Sequence, residues 1–397
     1  MNNIEQNNLN SAKHYIKIFY FLIYACMGIY GPFISIYYSK IGISEENIGL
    51  FLSISTAVSF FSASFWGYIS DKKKNRNEVL LICVSGNIAA ILLFLLSANF
   101  YYVFFVTTLT AFFFKPLLPL TDSAALEIAR YDQSHFSYGK IRVWGTIGFL
   151  FANFVLGWFI EKTGLKTLFI AYAIMMLIAF LIPLIISQTK IDIEPHKTEL
   201  KNLLFFLKKH FLIIFIACIL IEISNTVIYG FYGLYLQSLG FTNQQIGIAW
   251  GIGVIVEIPL MMYFHKFIKT FGLKKWLIFG LIAHLIKYLS LSQINSVEYF
   301  YIILLVQITH GIFFGAFYAS LVNLIDLYTP KNLKNSGQSL LFATTYSAGA
   351  IIGFSLNGYI LKIFGFPQLF LTNAGLLSVG IILFFLLNFQ RGYINEK

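Results

Sequence analysis

The sequence predicts an all-α membrane protein, with twelve transmembrane helices arranged as two pseudo-symmetric six-helix bundles. Three observations lead to this class: the composition, the length of the apolar segments, and a repeat at about half of the chain. Mean hydropathy is +0.75 and only 11% of residues are charged, whereas soluble domains have about 25%. The apolar content also excludes a disordered chain. Since about 20 helical residues cross a bilayer core of about 30 Å, 397 residues can supply twelve crossings with short loops.

The apolar spans fall into two sets of six, separated by the longest polar stretch of the chain. This division predicts an N-terminal six-helix bundle at 1–187, a cytoplasmic linker at 188–210 and a C-terminal six-helix bundle at 211–397. The spans are expected near 15–38, 46–70, 78–98, 101–129, 138–160, 165–187, 211–238, 244–265, 274–293, 298–326, 335–362 and 367–389.

The basic residues predict the orientation of these spans. With the N-terminus inside, 22 of the 28 lysines and arginines fall in inner segments and 4 in outer loops. This bias is a strong positive-inside signal and predicts that both termini are cytoplasmic. Because the basic residues lie in short loops, the net charge of +11 does not indicate a nucleic-acid partner. Cys26, Cys83 and Cys218 lie inside apolar spans and are expected to be small core residues.

An internal repeat relates the two halves of the chain. Residues 36–49 match residues 234–247 at an offset of 198, and a hydroxyl residue precedes a helix in both, Ser44 and Thr242. Only the second, with Gln245, fits a capping box. Equal helix number in each half predicts a parallel duplication whose halves rock in alternating access. Three further glycine pairs match at an offset of 201: Gly148 with Gly349, Gly157 with Gly358, and Gly164 with Gly365.

The loop after the second span, residues 67–76 (GYISDKKKNR), resembles the signature loop of the major facilitator superfamily. Lys74 stands where a glycine is usual, and Asn75 where a base is usual. The resemblance implies the major facilitator fold, and it implies that the matching residues form a cytoplasmic gate. The matching residues are Gly67, Asp71, Lys72 and Arg76.

Four further passages resemble the branch of the superfamily that contains the phenylpropionate permease, the lactose permease and the nucleoside–proton symporters. They are residues 138–149 (YGKIRVWGTIGF), 250–257 (WGIGVIVE), 284–288 (HLIKY) and 307–315 (QITHGIFFG). The resemblance implies a multi-pass protein of the bacterial inner membrane. Its expected partners are the lipid bilayer, a small-molecule substrate and a proton, and it is expected to be a monomer without a cofactor.

Ionisable residues inside the spans are the candidates for proton coupling. Each costs on the order of 2.5–3.5 kcal/mol at the bilayer centre, so such groups usually face a cavity or a partner. The candidates are Glu222, Glu257, Lys287 and His310. By resemblance to the lactose permease, Lys287 falls where that family has an arginine and His310 where it has a histidine. Phe313 falls where the lactose permease has its proton-carrying glutamate. Coupling is therefore expected to rest on Glu257 or Glu222. The alternative is a static buried ion pair that fixes helix packing.

The candidates for substrate binding include charged residues of the N-terminal half. Arg142 matches the substrate-contacting arginine of the lactose permease, and Asp122 is its expected partner. Lys115 lies seven residues before Asp122 and shares its face if the helix is continuous. The alternative for Arg142 is an interfacial charge. Three tyrosines are candidates for stacking on a ring of the substrate: Tyr24, Tyr229 and Tyr232. The alternative is that these side chains serve in helix packing and in the aromatic belts at the membrane interfaces.

These features predict a secondary active transporter that imports a small organic solute by proton symport. An aromatic acid, a nucleoside and a sugar-like molecule are all compatible with the candidate residues. The sequence has no phosphate-binding GxxxxGK[ST] loop and no nucleophile–base motif, so neither ATP-driven transport nor an enzyme is expected. Two alternatives stay open: an exporter of the same fold that works by proton antiport, and a membrane sensor that transports nothing.

Overall fold

The computed structural model describes residues 3–73, 75–131, 138–185, 204–330 and 333–387. These ranges are helical and contain no β-strand, which confirms the all-α class. The α-helices of these ranges are α1 (Asn3–Lys40), α2 (Glu45–Lys73), α3 (Arg76–Leu93), α4 (Phe100–Phe114), α5 (Leu117–Tyr131), α6 (Tyr138–Phe151), α7 (Gly157–Thr163), α8 (Thr167–Ile185), α9 (Lys209–Ser238), α10 (Asn243–Met262), α11 (Phe264–Phe271), α12 (Leu273–Leu291), α13 (Phe300–Phe313), α14 (Ala319–Tyr328), α15 (Lys334–Phe342) and α16 (Ala350–Leu386). Short π-helical turns join α6 to α7, α13 to α14, and α15 to α16.

Within the described ranges, ten helical segments are long and apolar enough to cross a membrane. The last of them, Ser336–Leu386, covers most of the eleventh and twelfth predicted spans, because α16 continues across a kink at Gly365. The ninth predicted span corresponds to α12, which is not apolar enough by itself because it carries three lysines, two in its first turn and Lys287. The fourth predicted span corresponds to the segment Phe100–Ala125, in which a short break separates the end of α4 at Phe114 from the start of α5 at Leu117.

The internal repeat predicted from the sequence has the same backbone geometry in both halves. Gly42 and Gly240, which match at offset 198, have φ angles of 87° and 89°. Gly164 and Gly365, which match at offset 201, have φ angles of 91° and 76°. Only glycine adopts this region without strain, so these residues redirect the chain where one helix ends and the next begins.

The predicted capping box at the start of α10 is present. The Thr242 backbone N–H donates to Gln245 Oε1 at 2.9 Å, and the Gln245 backbone N–H donates to Thr242 Oγ1 at 3.2 Å. At the matching start of α2, Asn47 Nδ2 instead donates to Ser44 Oγ at 2.9 Å. Side chains at the first and fourth positions of this motif are therefore bonded in both halves, but only the second half has the reciprocal bonds to backbone N–H groups that define a capping box.

The chain clusters into two compact units. Unit 1 falls within Met1–Ile43, Ile54–Glu194 and Thr242–Gly251, and unit 2 falls within Ser44–Ser53, Pro195–Phe241 and Ile252–Lys397. In unit 2 the start of α2 packs on α16, where Gly49 lies against Phe354 and Gly358. In unit 1 the start of α10 packs in the same way, with Gly247 against the backbone of Asn153. Glycine is needed at both crossings because a Cβ atom would overlap the facing backbone.

Gly148→Ala is expected to lower stability, because a Cβ atom at this position would overlap the backbone of Phe21 where α6 crosses α1. Overpacking of this kind costs about 1–3 kcal/mol. Thermal unfolding of the purified protein in detergent measures the effect. Gly31→Ala on α1 is the matched control, since a Cβ atom there meets nothing within 4 Å. Equal unfolding temperatures for Gly148→Ala and the parent protein would contradict the close crossing.

Candidate functional site

In unit 1, α5 and α6 bring together two of the charged residues predicted for substrate binding. Arg142 Nη1 lies 3.8 Å from Asp122 Oδ1, and the two side chains are 50% and 32% exposed. The hydroxyl of Tyr20, a fully buried residue of α1, donates to the same carboxylate oxygen. Asp122 therefore accepts a hydrogen bond from a buried hydroxyl, whereas its ion pair with Arg142 is partly exposed. An accessible, partly exposed pair adds little to stability, so its position calls for another explanation.

An aromatic ring accompanies this ion pair. The Arg142 guanidinium carbon lies 5.6 Å from the centre of the Tyr24 ring, which stacks on Tyr20 with ring centres 6.2 Å apart. Gly145 makes room for Tyr24, since a Cβ atom there would lie 2.6 Å from the ring. Arg142, Asp122, Tyr20 and Tyr24 are called the Arg142 cluster below. It offers a cation, a carboxylate and aromatic faces to a polar ring compound.

Lys115 does not join the Arg142 cluster. It lies at the break between α4 and α5, and its backbone N–H donates to the carbonyl of Ala111 at 3.2 Å. Its side chain is exposed and forms no hydrogen bond or ion pair with any residue of the described ranges. The helix is interrupted between Phe114 and Leu117, because Pro116 has no backbone N–H to continue the hydrogen-bond ladder, so Lys115 and Asp122 do not belong to one regular helix.

In unit 2, the carboxylate of Glu222 is buried on α9 and is held by neutral donors. Tyr318 Oη donates to Glu222 Oε2 at 2.8 Å, and Asn225 Nδ2 donates to the same oxygen at 3.3 Å. Asn225 Nδ2 also lies 3.2 Å from Tyr318 Oη. Glu222 is 3% exposed, and no basic side chain of the described ranges lies within ion-pair distance of it. These three residues are called the Glu222 cluster.

The predicted bases lie where α12 packs against α13. Lys287 is fully buried, and its Nζ donates to Gln307 Oε1 at 2.8 Å. The same Nζ lies 5.1 Å from the centre of the Tyr232 ring. Tyr232 has no exposed surface, so in this structure its ring contacts Lys287 and is not accessible to a solute. His310, one turn after Gln307 on α13, is buried.

Glu257 lies on α10 beside α13. Gly253, one turn earlier on α10, contacts the His310 ring, and a Cβ atom there would lie 2.9 Å from His310 Cδ2. Gly311 lies against the Glu257 backbone nitrogen. Glu257 is half-buried. Tyr229, on the neighbouring helix α9, is 39% exposed, and its ring meets that of Phe314 edge-on. The close glycine crossing therefore places one acid and one base on adjoining turns of neighbouring helices.

The predicted gate residues lie at the junction of α2 and α3. Asp71 and Lys72 are exposed in the last turn of α2, and Arg76 is the first residue of α3. The start of α3 is capped by Asn75, whose Oδ1 accepts from the Glu78 backbone N–H at 2.9 Å. The role of these residues as a gate stays a prediction.

Sequence reasoning missed several polar residues that contact the predicted ones: Tyr20, Asn225, Gln307 and Tyr318. Tyr318 ends a π-helical turn, Phe314–Tyr318, which follows α13. Turns of this kind widen a helix and occur often at functional sites. No sequence pattern predicts this π-helical turn. Asn225 could have been predicted as a partner of Glu222, because the two residues are three apart on one helix.

A family model described as the MFS_1 like family matches residues 14–372. The chain belongs to this family. The uncharacterized transporter YwbF of Bacillus subtilis (strain 168) is 28% identical over 94% of this chain and 93% of its own length. The probable 3-phenylpropionic acid transporter of Escherichia coli (strain K12) is 22% identical over 75% of this chain and 78% of its own length. The crystal structure of the nucleoside transporter NupG matches with a TM-score of 0.84 at 19% identity, covering 97% of this chain and 100% of NupG.

Membership in the MFS_1-like family confirms the resemblance found in the sequence, and the likeness to NupG confirms the fold. The protein is accordingly a multi-pass inner-membrane transporter of the major facilitator superfamily and not an enzyme. The Arg142 and Glu222 clusters are therefore polar groups within the membrane-spanning helices of a transporter, where such groups most often mark substrate or ion pathways.

Proposed function

We propose that the protein imports a small organic solute together with protons by alternating access. The observation that carries the proposal is the Glu222 cluster: a buried carboxylate in a membrane-spanning helix whose partners in the described ranges are two neutral donors. Such a carboxylate can exchange a proton without breaking an ion pair. Proton carriers need this property, whereas a static ion pair that only fixes helix packing does not.

The proposed coupling residues are Glu222, Glu257, Lys287 and His310. All four lie in unit 2, with Glu222 on α9 and the other three on α10, α12 and α13. Glu257 is less buried than Glu222 and lies beside the turn that holds His310. We propose that Glu257 exchanges its proton with the aqueous phase and that Glu222 is the more enclosed acid.

In unit 1 the proposed substrate-binding residues are those of the Arg142 cluster, with the exposed Lys115 as an additional contact. In unit 2 a separate proposed residue is Tyr229. A guanidinium beside a carboxylate and two tyrosine rings supports binding of a ring compound that carries hydrogen-bond acceptors. The names of the relatives, a 3-phenylpropionic acid transporter and a nucleoside transporter, agree with such a substrate. An aromatic acid, a nucleoside and a sugar-like molecule are the three classes to test.

The arrangement in the membrane is part of the proposal. Both termini are proposed to be cytoplasmic because of the excess of basic residues in the inner segments. The junction of α2 and α3, with Gly67, Asp71, Lys72 and Arg76, is proposed as the cytoplasmic gate. One copy of the chain holds twelve spans and is proposed to be sufficient for transport.

Transport into proteoliposomes tests this function. Purified protein is reconstituted, a proton gradient directed inward is imposed, and uptake of radiolabelled 3-phenylpropionate, uridine or maltose is measured. We expect one class to accumulate, and we expect a protonophore to abolish that accumulation. Uptake that ignores the protonophore would contradict proton coupling. Extrusion of the solute from loaded vesicles when protons flow in would instead indicate an exporter.

Tyr318→Phe is expected to slow proton-driven uptake about tenfold, because hydrogen bonds to charged groups are worth about 1.5–3 kcal/mol. The variant removes the donor to Glu222 and keeps the ring. Initial uptake rates for the solute identified above measure the effect. Tyr37→Phe is the matched control, since the Tyr37 hydroxyl donates to a backbone carbonyl, Phe94 O, in unit 1. Equal losses in the two variants would show that the Glu222 cluster has no special role.

A further inference from the structure

Where α12 packs on α13, polar side chains meet in two successive pairs. Lys287 of α12 faces Gln307 of α13, with Nζ 2.8 Å from Oε1. One turn away, His284 of α12 faces His310 of α13, with ring centres 6.4 Å apart. On each helix the two residues are three apart and so share one face. Three of the four side chains are bases.

Two of these bases are sealed from solvent and have few partners. Lys287 and His284 have no exposed surface. Among the residues that the structure describes, no carboxylate lies within ion-pair distance of Lys287, and neither ring nitrogen of His284 has a hydrogen-bond partner. Buried polar groups are almost always hydrogen-bonded, so an imidazole with two unused nitrogens calls for an explanation.

Aromatic rings enclose the two bases. The His284 ring stacks on Phe313, with centres 3.9 Å apart and an interplanar angle of 10°, and the Tyr288 ring centre lies 4.6 Å away. The face of Tyr232 lies 5.1 Å from Lys287 Nζ. Aromatic faces attract cations, so these surroundings stabilise a positive charge without supplying a carboxylate. Since both bases are fully enclosed, a proton is the species that this site can accept and release.

We propose that His284 and Lys287 form a proton site that works without a carboxylate, in which His284 is a proton carrier additional to the residues named above. The site holds one proton at a time, because two neighbouring buried cations repel each other. The proton resides either on Nζ of Lys287, as an ammonium beside a neutral imidazole, or on the lone pair of a His284 ring nitrogen, as an imidazolium beside a neutral amine. No bond between heavy atoms changes. This inference rests on the proposed proton coupling.

Other titratable groups lie on the elements that pack around this pair and contribute to its electrostatic surroundings. Within the described ranges neither Glu222 nor Glu257 lies within ion-pair distance of Lys287, and the Tyr288 hydroxyl donates to the carbonyl oxygen of Ser224 at 2.8 Å. Helix α16 contributes the apolar ring of Phe370, 6.2 Å from that of Tyr288. The groups are Tyr288 on α12, His310 on α13, Tyr318 on the π-helical turn, Tyr232 and Glu222 on α9, and Glu257 on α10.

Nuclear magnetic resonance of the full chain, labelled with ¹⁵N-histidine and reconstituted in liposomes, tests the proposal without any substrate. The His284 signals are assigned by their loss in His284→Gln, or in His284→Asn if the first variant does not fold. We expect these signals to change from neutral imidazole to imidazolium between about pH 9 and pH 5. In Lys287→Gln we expect the midpoint to move by more than about half a pH unit.

Lys287→Arg gives a second test, because arginine keeps a donor for Gln307 but does not release its proton. In this variant His284 is expected to stay neutral across the same pH range. Lys362→Gln, at an exposed position of unit 2, is the control and should leave the midpoint unchanged. A His284 signal that never titrates in the parent protein, or whose titration ignores both Lys287 variants, would overturn the proposal. Solute uptake by the parent protein that does not respond to a protonophore would instead overturn proton coupling, and it would leave the His284 titration unaffected.

Discussion

Glu257→Gln is expected to abolish accumulation of the solute while keeping exchange of internal for external solute. Glutamine keeps the size and hydrogen-bonding of the side chain but cannot carry a proton. A gradient of one pH unit is worth about 1.4 kcal/mol and supports about tenfold accumulation at one proton per solute. With the membrane potential clamped, we therefore expect the accumulation ratio of the variant to fall from about 10 to about 1. Exchange is expected to remain near the parent rate.

The matched control for this variant is Glu298→Gln. Glu298 is exposed in the short helical turn before α13 and belongs to neither cluster. The Glu298→Gln variant makes the same chemical change as Glu257→Gln and should leave accumulation of the solute intact. If Glu257→Gln accumulates the solute normally, the coupling role of Glu257 is wrong, and Glu222→Gln becomes the variant to measure.

Arg142→Gln is expected to raise the KM for the solute at least about tenfold, since charge-assisted hydrogen bonds are worth about 1.5–3 kcal/mol. The side chain is half exposed and its ion pair with Asp122 is accessible, so the fold should be kept. Initial rates of uptake over a range of solute concentrations measure KM and the maximal rate separately. A change confined to the maximal rate would place Arg142 in the conformational cycle and not in binding.

Two further variants make this result specific. Arg142→Lys keeps the charge but loses the planar fork of donors, and we expect it to recover only part of the affinity. Lys162→Gln removes a cation that lies over a tryptophan ring of unit 1, with Nζ 3.9 Å from the ring centre of Trp158. It should leave KM unchanged. A KM for Arg142→Gln equal to that of the parent protein would exclude the Arg142 cluster as the binding site.

The fold could be predicted because lipid imposes a simple rule on sequence. Spans must be long and apolar, and the glycines that end or cross helices recur at a fixed offset in the two halves. The pairs Gly42 with Gly240 and Gly164 with Gly365 adopt positive φ, as a duplicated backbone requires. The break at Pro116 was harder to place, because a proline within an apolar run can either kink a helix or end it.

The candidate sites were only partly predictable. Arg142 and Asp122 could be paired in advance because they lie on consecutive helices that share a short connection. The bond from Tyr318 to Glu222 joins residues 96 apart in the chain, and no local pattern reports such a contact. His284 carries a local signal, its three-residue spacing to Lys287, but its stacking on Phe313 depends on how α12 packs against α13.

Proton flux measured with a pH-sensitive dye trapped inside proteoliposomes tests the central claim most directly. Solute is added outside with no pH gradient present and with the membrane potential clamped. We expect the interior to acidify as solute enters, in a fixed ratio to its uptake, and we expect no acidification with Glu257→Gln. Solute entry that leaves the internal pH unchanged in the parent protein would contradict proton-coupled import.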